Sequence, residues 1–251
     1  MDCRRQWMTE ESFSRQEELI FENCDRNRRA RMSTLLSLCA SVAGNDYDAR
    51  GLPYEMLLKD YHQVCLLSRI TLQIHRQPRT RDILTVTTWE NGSRGAHLQR
   101  VYEMTDQTGG LCVSGRSDWI LVDPDSRSIL KPSAFTAKEL GICPKDIDCP
   151  ECRKIALPKE GTDELGVRKI TWSDLDGNGH VYSGNYGDII WDALPPELQD
   201  AKPLGFSLNY SREATLGEEL RLLGVRQGSA YRMEAVGPTG TCFTCECIFD
   251  L

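Results

Sequence analysis

Between Asp174 and Asn185 the chain places two carboxylates, two amides and one imidazole within twelve positions, in the run Asp174-Leu-Asp176-Gly-Asn178-Gly-His180-Val-Tyr-Ser-Gly-Asn185. No other stretch is as dense in groups that hold or move protons. A neutral imidazole beside a carboxylate can take a proton from water and return it to a leaving group, and imidazole titrates near neutral pH. An amide such as Asn178 can hold a carbonyl oxygen, and the N–H groups that open a helix can steady an oxyanion. Joined by Glu213 from a later strand, Asp176, Asn178 and His180 suit hydrolysis of an activated acyl group. The first three stand at every second position, which in an extended segment sends all three side chains to one side.

The elements that must position these groups follow from the pattern around them. An alternating apolar run at 167–172 precedes the stretch, and a helical pattern at 182–194 follows it, stopped by Pro195-Pro196. The stretch is therefore predicted to be the turn from a strand into a helix, a place where functional groups are displayed. In the first part of the chain, Leu35, Leu36, Leu38 and Cys39 predict a helix over 32–42, ended by Gly44 and Asn45, and 54–61 predicts a shorter one. Alternation then predicts four strands, at 67–74, 83–89, 97–105 and 111–122, as an antiparallel sheet. Residues 125–164, rich in Pro, Asp, Lys and Cys, read as a linker over the surface with a short helix at 136–140, and alternating strands return after 194.

The second half repeats the order of the first. Ile70, Leu72, Ile74 and Asp82 have the spacing of Phe206, Leu208, Tyr210 and Glu218, and Asp25-x-Asn27-x-Arg29 precedes the first helix as Asp176-x-Asn178-x-His180 precedes the second. Two copies of one unit, each a long helix against an antiparallel sheet, are expected. Their differences bear on chemistry. Arg29 stands where the second copy has His180, and Gln77 where it has Glu213. A guanidinium does not give up its proton near neutral pH, so only the second half carries a titratable set.

Other readings of the same residues are weaker. A calcium loop begun at Asp174 needs a glutamate at its twelfth position, where Asn185 stands, and a helix before it, where a strand is predicted. Asp174 and Asn178 as helix caps with His180 as a core residue would explain a lone histidine, but not one accompanied by Asp, Asn and a distant Glu. Eleven cysteines, an odd number without an export signal, are expected to be reduced thiols. Neither trio, Cys143, Cys149 and Cys152 or Cys242, Cys245 and Cys247, supplies the fourth ligand of a closed zinc site, and Cys245 and Cys247 fit one apolar strand face. A net charge of −7 argues against nucleic acid as the main partner, and no apolar run is long enough for a membrane span. A cytoplasmic protein without metal or cofactor is expected.

The motif Trp172-Ser-Asp174-Leu-Asp176-x-Asn178-x-His180-Val, with Trp191 and Tyr210-x-Arg212-Glu213 after it, resembles the acyl-acyl carrier protein thioesterases. In the first half Leu67-Ser-Arg69-Ile-x-Leu72-x-Ile74, Pro78, Asp82, Thr88-Trp89, Arg100, Asp106, Gly109 and Ser117-x-Trp119-x-Leu-x-Asp123 follow that family's pattern in order. The resemblance implies an α+β tandem (double) hotdog: residues 1–124 as an N-terminal hotdog with the acyl-chain pocket, 125–164 as linker, and 165–251 as a C-terminal hotdog with the catalytic residues. It implies hydrolysis of fatty acyl-carrier-protein thioesters by Asp176, Asn178, His180 and Glu213. Plant members often have cysteine after that glutamate; Ala214 here leaves attack by water, with Glu213 or His180 as base. The acidic carrier protein is the implied partner, with Arg26, Arg28, Arg29 and Arg31 as the candidate docking cluster and a homodimer left open. The plant enzymes carry a transit segment, so a start close to the first strand suggests a bacterial form. An acyl-CoA thioesterase of the same fold and a non-catalytic acyl-binding protein stay as alternatives. A hydratase of this fold needs His five positions after Asp, whereas His180 follows Asp176 by four and Asp174 by six.

Overall fold

The computed structural model describes residues 5–135, 142–158 and 160–251. Its first half contains β1 (Gln6–Met8), β2 (Phe13–Glu18), α1 (Met32–Ala49), α2 (Tyr54–Lys59), β3 (Val64–Ile74), β4 (Ile83–Arg94), β5 (His97–Thr105), β6 (Leu111–Val122) and β7 (Ile129–Leu130). The second contains β8 (Asp163–Lys169), α3 (Tyr186–Ala193), α4 (Pro196–Gln199), β9 (Lys202–Tyr210), β10 (Glu219–Gln227), β11 (Ala230–Gly237) and β12 (Gly240–Asp250). The strands form one continuous sheet in the order β1-β2-β4-β5-β6-β3-β9-β12-β11-β10-β8, with β7 on β6. The two halves meet where β3 pairs antiparallel with β9, Arg69 opposite Asn209 and Leu72 opposite Phe206. No described helix is long and apolar enough to cross a membrane.

Strand alternation gives the sheet two unlike faces. Ile70, Leu72, Ile74, Phe206, Leu208, Phe243, Cys245, Cys247 and Phe249 are buried in one core with Leu35, Leu36, Cys39 and Val42 of α1 and Ile189 and Ile190 of α3. The thiols of Cys245 and Cys247 thus serve as small apolar groups, as their spacing implied. The opposite face carries Ser114, Arg116, Asn209, Thr244 and Glu246. The segment after residue 142 lies across it: Ser114 Oγ donates to Asp148 O, Arg116 Nε to Cys149 O, Asn209 Nδ2 to Arg153 O and Thr244 Oγ1 to Ile155 O. Ile147, Cys149, Cys152 and Ile155 of this segment are themselves buried. The expected surface linker is, over these residues, a strap packed on the sheet. Its polar composition matches the polar face it covers, which is why it does not look like core. The helix expected at 136–140 lies outside the described residues.

Two helix boundaries differ from expectation. α1 runs through Gly44 and Asn45 to Ala49, because Asn45 Oδ1 accepts a bond from Arg15 Nη1 (2.6 Å) and the buried Asp46 pairs with Arg50 and Arg100. These contacts outweigh the roughly 1 kcal/mol that glycine costs inside a helix. The helix stops at Gly51, whose φ of +77° leaves the helical region. α3 begins four residues later than expected. Its Gly187 touches α1 so closely that a Cβ there would stand 2.8 Å from Ser33 Cα.

Candidate active site

The functional stretch is built as a tight turn. Trp172–Asp174 forms one 3₁₀ turn, fixed by the Asp174 carboxylate, which accepts from Thr171 N–H (2.7 Å), Thr171 Oγ1 (2.8 Å) and Arg168 Nη2 (2.7 Å). After it the chain reverses: Asp176 N–H donates to His180 O (2.8 Å) and Gly179 N–H to Asp176 O (3.1 Å), with Gly179 at φ +81°. The expected extended run, with Asp176, Asn178 and His180 on one side, is therefore corrected. A short polar Asp-Gly-Asn-Gly sequence favours closure on itself over extension. Asp176 Oδ1 is turned back onto the backbone, accepting from Asn178 N–H (2.8 Å) and His180 N–H (3.4 Å), while the Asn178 side chain stands exposed at the tip.

Past the turn, His180 pairs with Thr215 and Val181 N–H donates to Ala214 O (2.9 Å), which aligns the histidine with the loop after β9. That loop is held by Arg212, whose guanidinium donates to Glu218 (2.5 and 3.1 Å), to Cys242 Sγ (2.9 Å) and to Glu213 O (2.8 Å). In consequence His180 Nε2 lies 3.4 Å from Glu213 Oε2, with the imidazole about three-tenths exposed and the carboxylate about four-tenths. A pair at this distance, open to solvent, can take a proton from a water and hand it on. Such contacts are often long in the free protein and tighten around substrate. The structure thus joins His180 to Glu213 and ties Asp176 to His180 through the backbone, while Asn178 remains at the rim. The first amides of α3 are partly used: Gly187 N–H donates to Gly184 O and Asp188 N–H to Asn185 O.

One neighbour was not legible in the sequence. Arg127, in the turn between β6 and β7 of the first half, places Nη1 3.9 Å from Glu213 Oε2. Nothing in its local sequence distinguishes it from any exposed turn arginine.

The first half contains the same turn bond for bond. Asp25 N–H donates to Arg29 O (2.7 Å), Arg28 N–H to Asp25 O (2.9 Å), and Asp25 Oδ1 accepts from Asn27 N–H (2.8 Å) and Arg29 N–H (2.9 Å). Arg28 takes the left-handed place of Gly179, at φ +61°. The internal repeat read from spacing is therefore present in the backbone. Arg29 does something else with the position of His180. Its Nη1 donates to Asp200 O and Ala201 O (3.0 Å each), its Nη2 to Gln199 O (3.1 Å) and its Nε to Asp25 Oδ2 (2.8 Å). Arg26 and Asn27 bind the Asp200 carboxylate beside it. This copy of the turn clamps the two halves together. A cavity of about 330 Å³ lies over it, lined by Arg29, Gln77, Met32, Trp191 and Asp192, and holds no imidazole. Burial, with Asp188 nearby, raises the Asp192 carboxyl above its ordinary range.

The described residues contain no cluster of three or more His, Cys, Asp or Glu able to hold a metal ion. Burial pushes the thiols of Cys149 and Cys152 up to about 12, and their S–H groups meet backbone carbonyls, so both are structural.

Comparison with known proteins agrees with this architecture. Residues 10–133 match the family model described as acyl-ACP thioesterase N-terminal domain, and residues 159–235 match the acyl-ACP thioesterase C-terminal domain. Oleoyl-acyl carrier protein thioesterase 1, chloroplastic, of Arabidopsis thaliana is 23% identical over 231 residues, covering 82% of this chain and 62% of that protein. The palmitoyl-acyl carrier protein thioesterase of Gossypium hirsutum is 25% identical over 187 residues, covering 72% of this chain and 45% of its own length. The chain thus spans less than two thirds of the length of these curated relatives. An acyl-ACP thioesterase from Bacteroides thetaiotaomicron superposes with a TM-score of 0.85 at 22% identity, over 97% of this chain and 100% of that one. The 12:0-ACP thioesterase from Umbellularia californica gives 0.78 at 17% identity, over 97% and 98%. These structures share the tandem hotdog, and with both family models matched in order, the chain belongs to the acyl-ACP thioesterase family.

Proposed function

We propose that the protein hydrolyses fatty acyl thioesters of acyl carrier protein, releasing the free fatty acid and the carrier's thiol. The observation that carries this reading is the His180–Glu213 contact of 3.4 Å, present in the second half and replaced by Arg29 and Gln77 in the first. In the reading, one member of the pair removes a proton from water as its oxygen bonds to the thioester carbonyl carbon. The Asn178 amide and N–H groups ahead of α3 hold the carbonyl oxygen as it becomes negative. The C–S bond then breaks, and the proton goes to the departing sulfur. Asp176 keeps the turn closed so that His180 stays aimed. Ala214, fully buried after Glu213, offers no thiol, which supports direct attack by water over an acyl-enzyme.

Residues 1–124 are assigned the acyl-chain pocket and 165–251 the chemistry, joined by 125–164. Arg29 is committed to backbone carbonyls, Arg31 donates to Cys24 O and Glu22 O, and Arg26 is paired with the Asp200 carboxylate, which leaves the exposed Arg28 as the arginine of this cluster that we propose meets an acidic carrier. The test is hydrolysis of a chain-length series of acyl-carrier-protein thioesters beside matched acyl-CoAs, by wild type and His180→Ala. Turnover of the carrier series that is lost in the variant supports the assignment. Turnover of CoA esters alone moves the substrate class, and turnover that survives the substitution removes His180 from the mechanism.

A further inference from the structure

The turn between β6 and β7 is a built feature. Asp123 Oδ1 accepts from Ser126 N–H (2.8 Å), Ser126 Oγ (2.9 Å) and Asp125 N–H (3.2 Å), while Arg127 N–H donates to Asp123 O (2.9 Å) and Asp123 N–H to Ser128 O (3.0 Å). The bonds from Ser126 hold the Asp123 carboxyl below its ordinary range. On its outer side Asp125 Oδ2 pairs with His62 Nε2 at 2.7 Å, which fastens the turn to the loop after α2. These contacts set Arg127 at φ +54°, where residues with a side chain seldom sit. An observed outlier of this kind points toward function. From there its guanidinium, about four-fifths exposed, reaches the other half of the molecule and stands 3.9 Å from Glu213 Oε2. That same oxygen lies 3.4 Å from His180 Nε2.

We propose that Arg127 is a positioning residue that holds the Glu213 carboxylate aimed at His180, so that the first half completes the second half's site. This rests on the reading of the His180–Glu213 pair given above. The groups facing the carboxylate can be named. His180 approaches from the closed turn, where Asp176 takes its amide, and Arg127 approaches from the first half. On Glu213's own loop Arg212 is engaged by Glu218 and by Glu213 O. From α3, Tyr186 packs on Tyr210 and Phe243 close enough to sense Glu213, its phenol raised by burial. Of the two acids on Arg127's own turn, Asp123 accepts from Ser126 and Asp125 is occupied by His62. Arg127 is thus the cation facing Glu213 from the first half that no other described contact engages.

A positive charge here favours the deprotonated pair, the form that can accept a proton. Removing it makes protonation easier, so the acid limb of the rate profile moves to higher pH. At about 4 Å through water the interaction corresponds to a shift of the acid limb by about three quarters of a pH unit at low salt, and salt screens it. The experiment is the pH profile of kcat/KM with a small S-acyl-N-acetylcysteamine thioester, which lacks a carrier, for wild type and Arg127→Gln, Arg127→Glu and Arg127→Lys at low and high salt. The expected result is a rise of the acid limb by about three quarters of a unit at low salt in Arg127→Gln and more in Arg127→Glu, lessened by salt and restored in Arg127→Lys. The chemical-shift titration of the His180 ring, followed without substrate, should move in the same direction. An unmoved limb with an unmoved ring titration overturns the proposal, as does a uniform fall in rate at all pH values. A ring titration that moves in a protein that hydrolyses no thioester supports Arg127's role and refutes the hydrolase reading. Turnover that survives Glu213→Gln overturns both.

Discussion

Arg29→Ala and His180→Ala truncate the same position in two copies of one turn, and the two variants should fail in different assays. Arg29 makes three bonds to the carbonyls of residues 199–201 and one to Asp25, with its side chain only 12% exposed. A hydrogen bond to a charged group contributes about 1.5–3 kcal/mol, but these are not additive, and water can reach the surface carbonyls once the side chain is gone. A net loss of about 2–4 kcal/mol is expected, which for a chain of this length lowers Tm by about 5–15 °C. Its kcat on a small thioester should stay within a few-fold of wild type. The His180 imidazole faces Glu213 in solvent, so its removal should cost less than about 1 kcal/mol of stability. The same change should lower kcat by about 10²- to 10⁴-fold, the usual span of general acid–base assistance. Scanning calorimetry and steady-state kinetics on the two variants separate the roles. The reasoning is refuted if Arg29→Ala abolishes turnover at unchanged Tm, or if His180→Ala melts early yet turns over normally.

Three further outcomes follow from contacts elsewhere. Arg100 is fully buried between Asp46 Oδ2 (2.8 Å) and Glu90 Oε1 (2.6 Å); Arg100→Met leaves the buried Glu90 without its cation and Asp46 with Arg50 alone, and should cost about 3–5 kcal/mol by urea unfolding, a loss below about 1 kcal/mol contradicting it. Gly187→Ala sets a methyl 2.8 Å from Ser33 Cα where α1 and α3 cross, and should destabilise by about 1–3 kcal/mol, measured by the same method, whereas an unchanged midpoint would mean the helices separate freely. Thr108, through its side chain and N–H, and Gly110, through its N–H, hold the Asp106 carboxyl at about 2, below its unfolded value of about 4. Its stabilisation is present above the unfolded value and lost as pH falls toward the folded one, so the Tm gap between wild type and Asp106→Asn should be open at neutral pH and close between about pH 4 and 2. A gap independent of pH would remove the carboxylate's charge from the account.

Much of this molecule is written in short-range pattern. β5 and β6 run from His97 to Thr105 and from Leu111 to Val122 as alternation predicts, because the signal of a half-buried strand lies two residues away. The internal repeat is legible for the same reason: the Asp-x-Asn turn makes its bonds within five residues, so its spacing survives in both copies. The exchange of His180 for Arg29, and of Glu213 for Gln77, is also visible in sequence and already separates the titratable half from the other.

What spacing could not supply was everything decided by residues far apart in the chain. α1 passes Gly44 because Arg15 and Arg100 hold the turn beyond it, and Gly187 of α3 is set by the close approach of Ser33 on α1. The polar segment after 142 is a strap because the sheet offers it a polar face. Asp176 looked like a group for a cleft and serves the backbone, since local bonds in a tight turn outcompete an extended display. The approach of Glu213 to His180, the clamp of Arg29 on residues 199–201, and the reach of Arg127 across the halves depend on sheet pairing and helix crossing. Those arise from many weak contacts summed over the whole fold, and no local pattern of residues records their result.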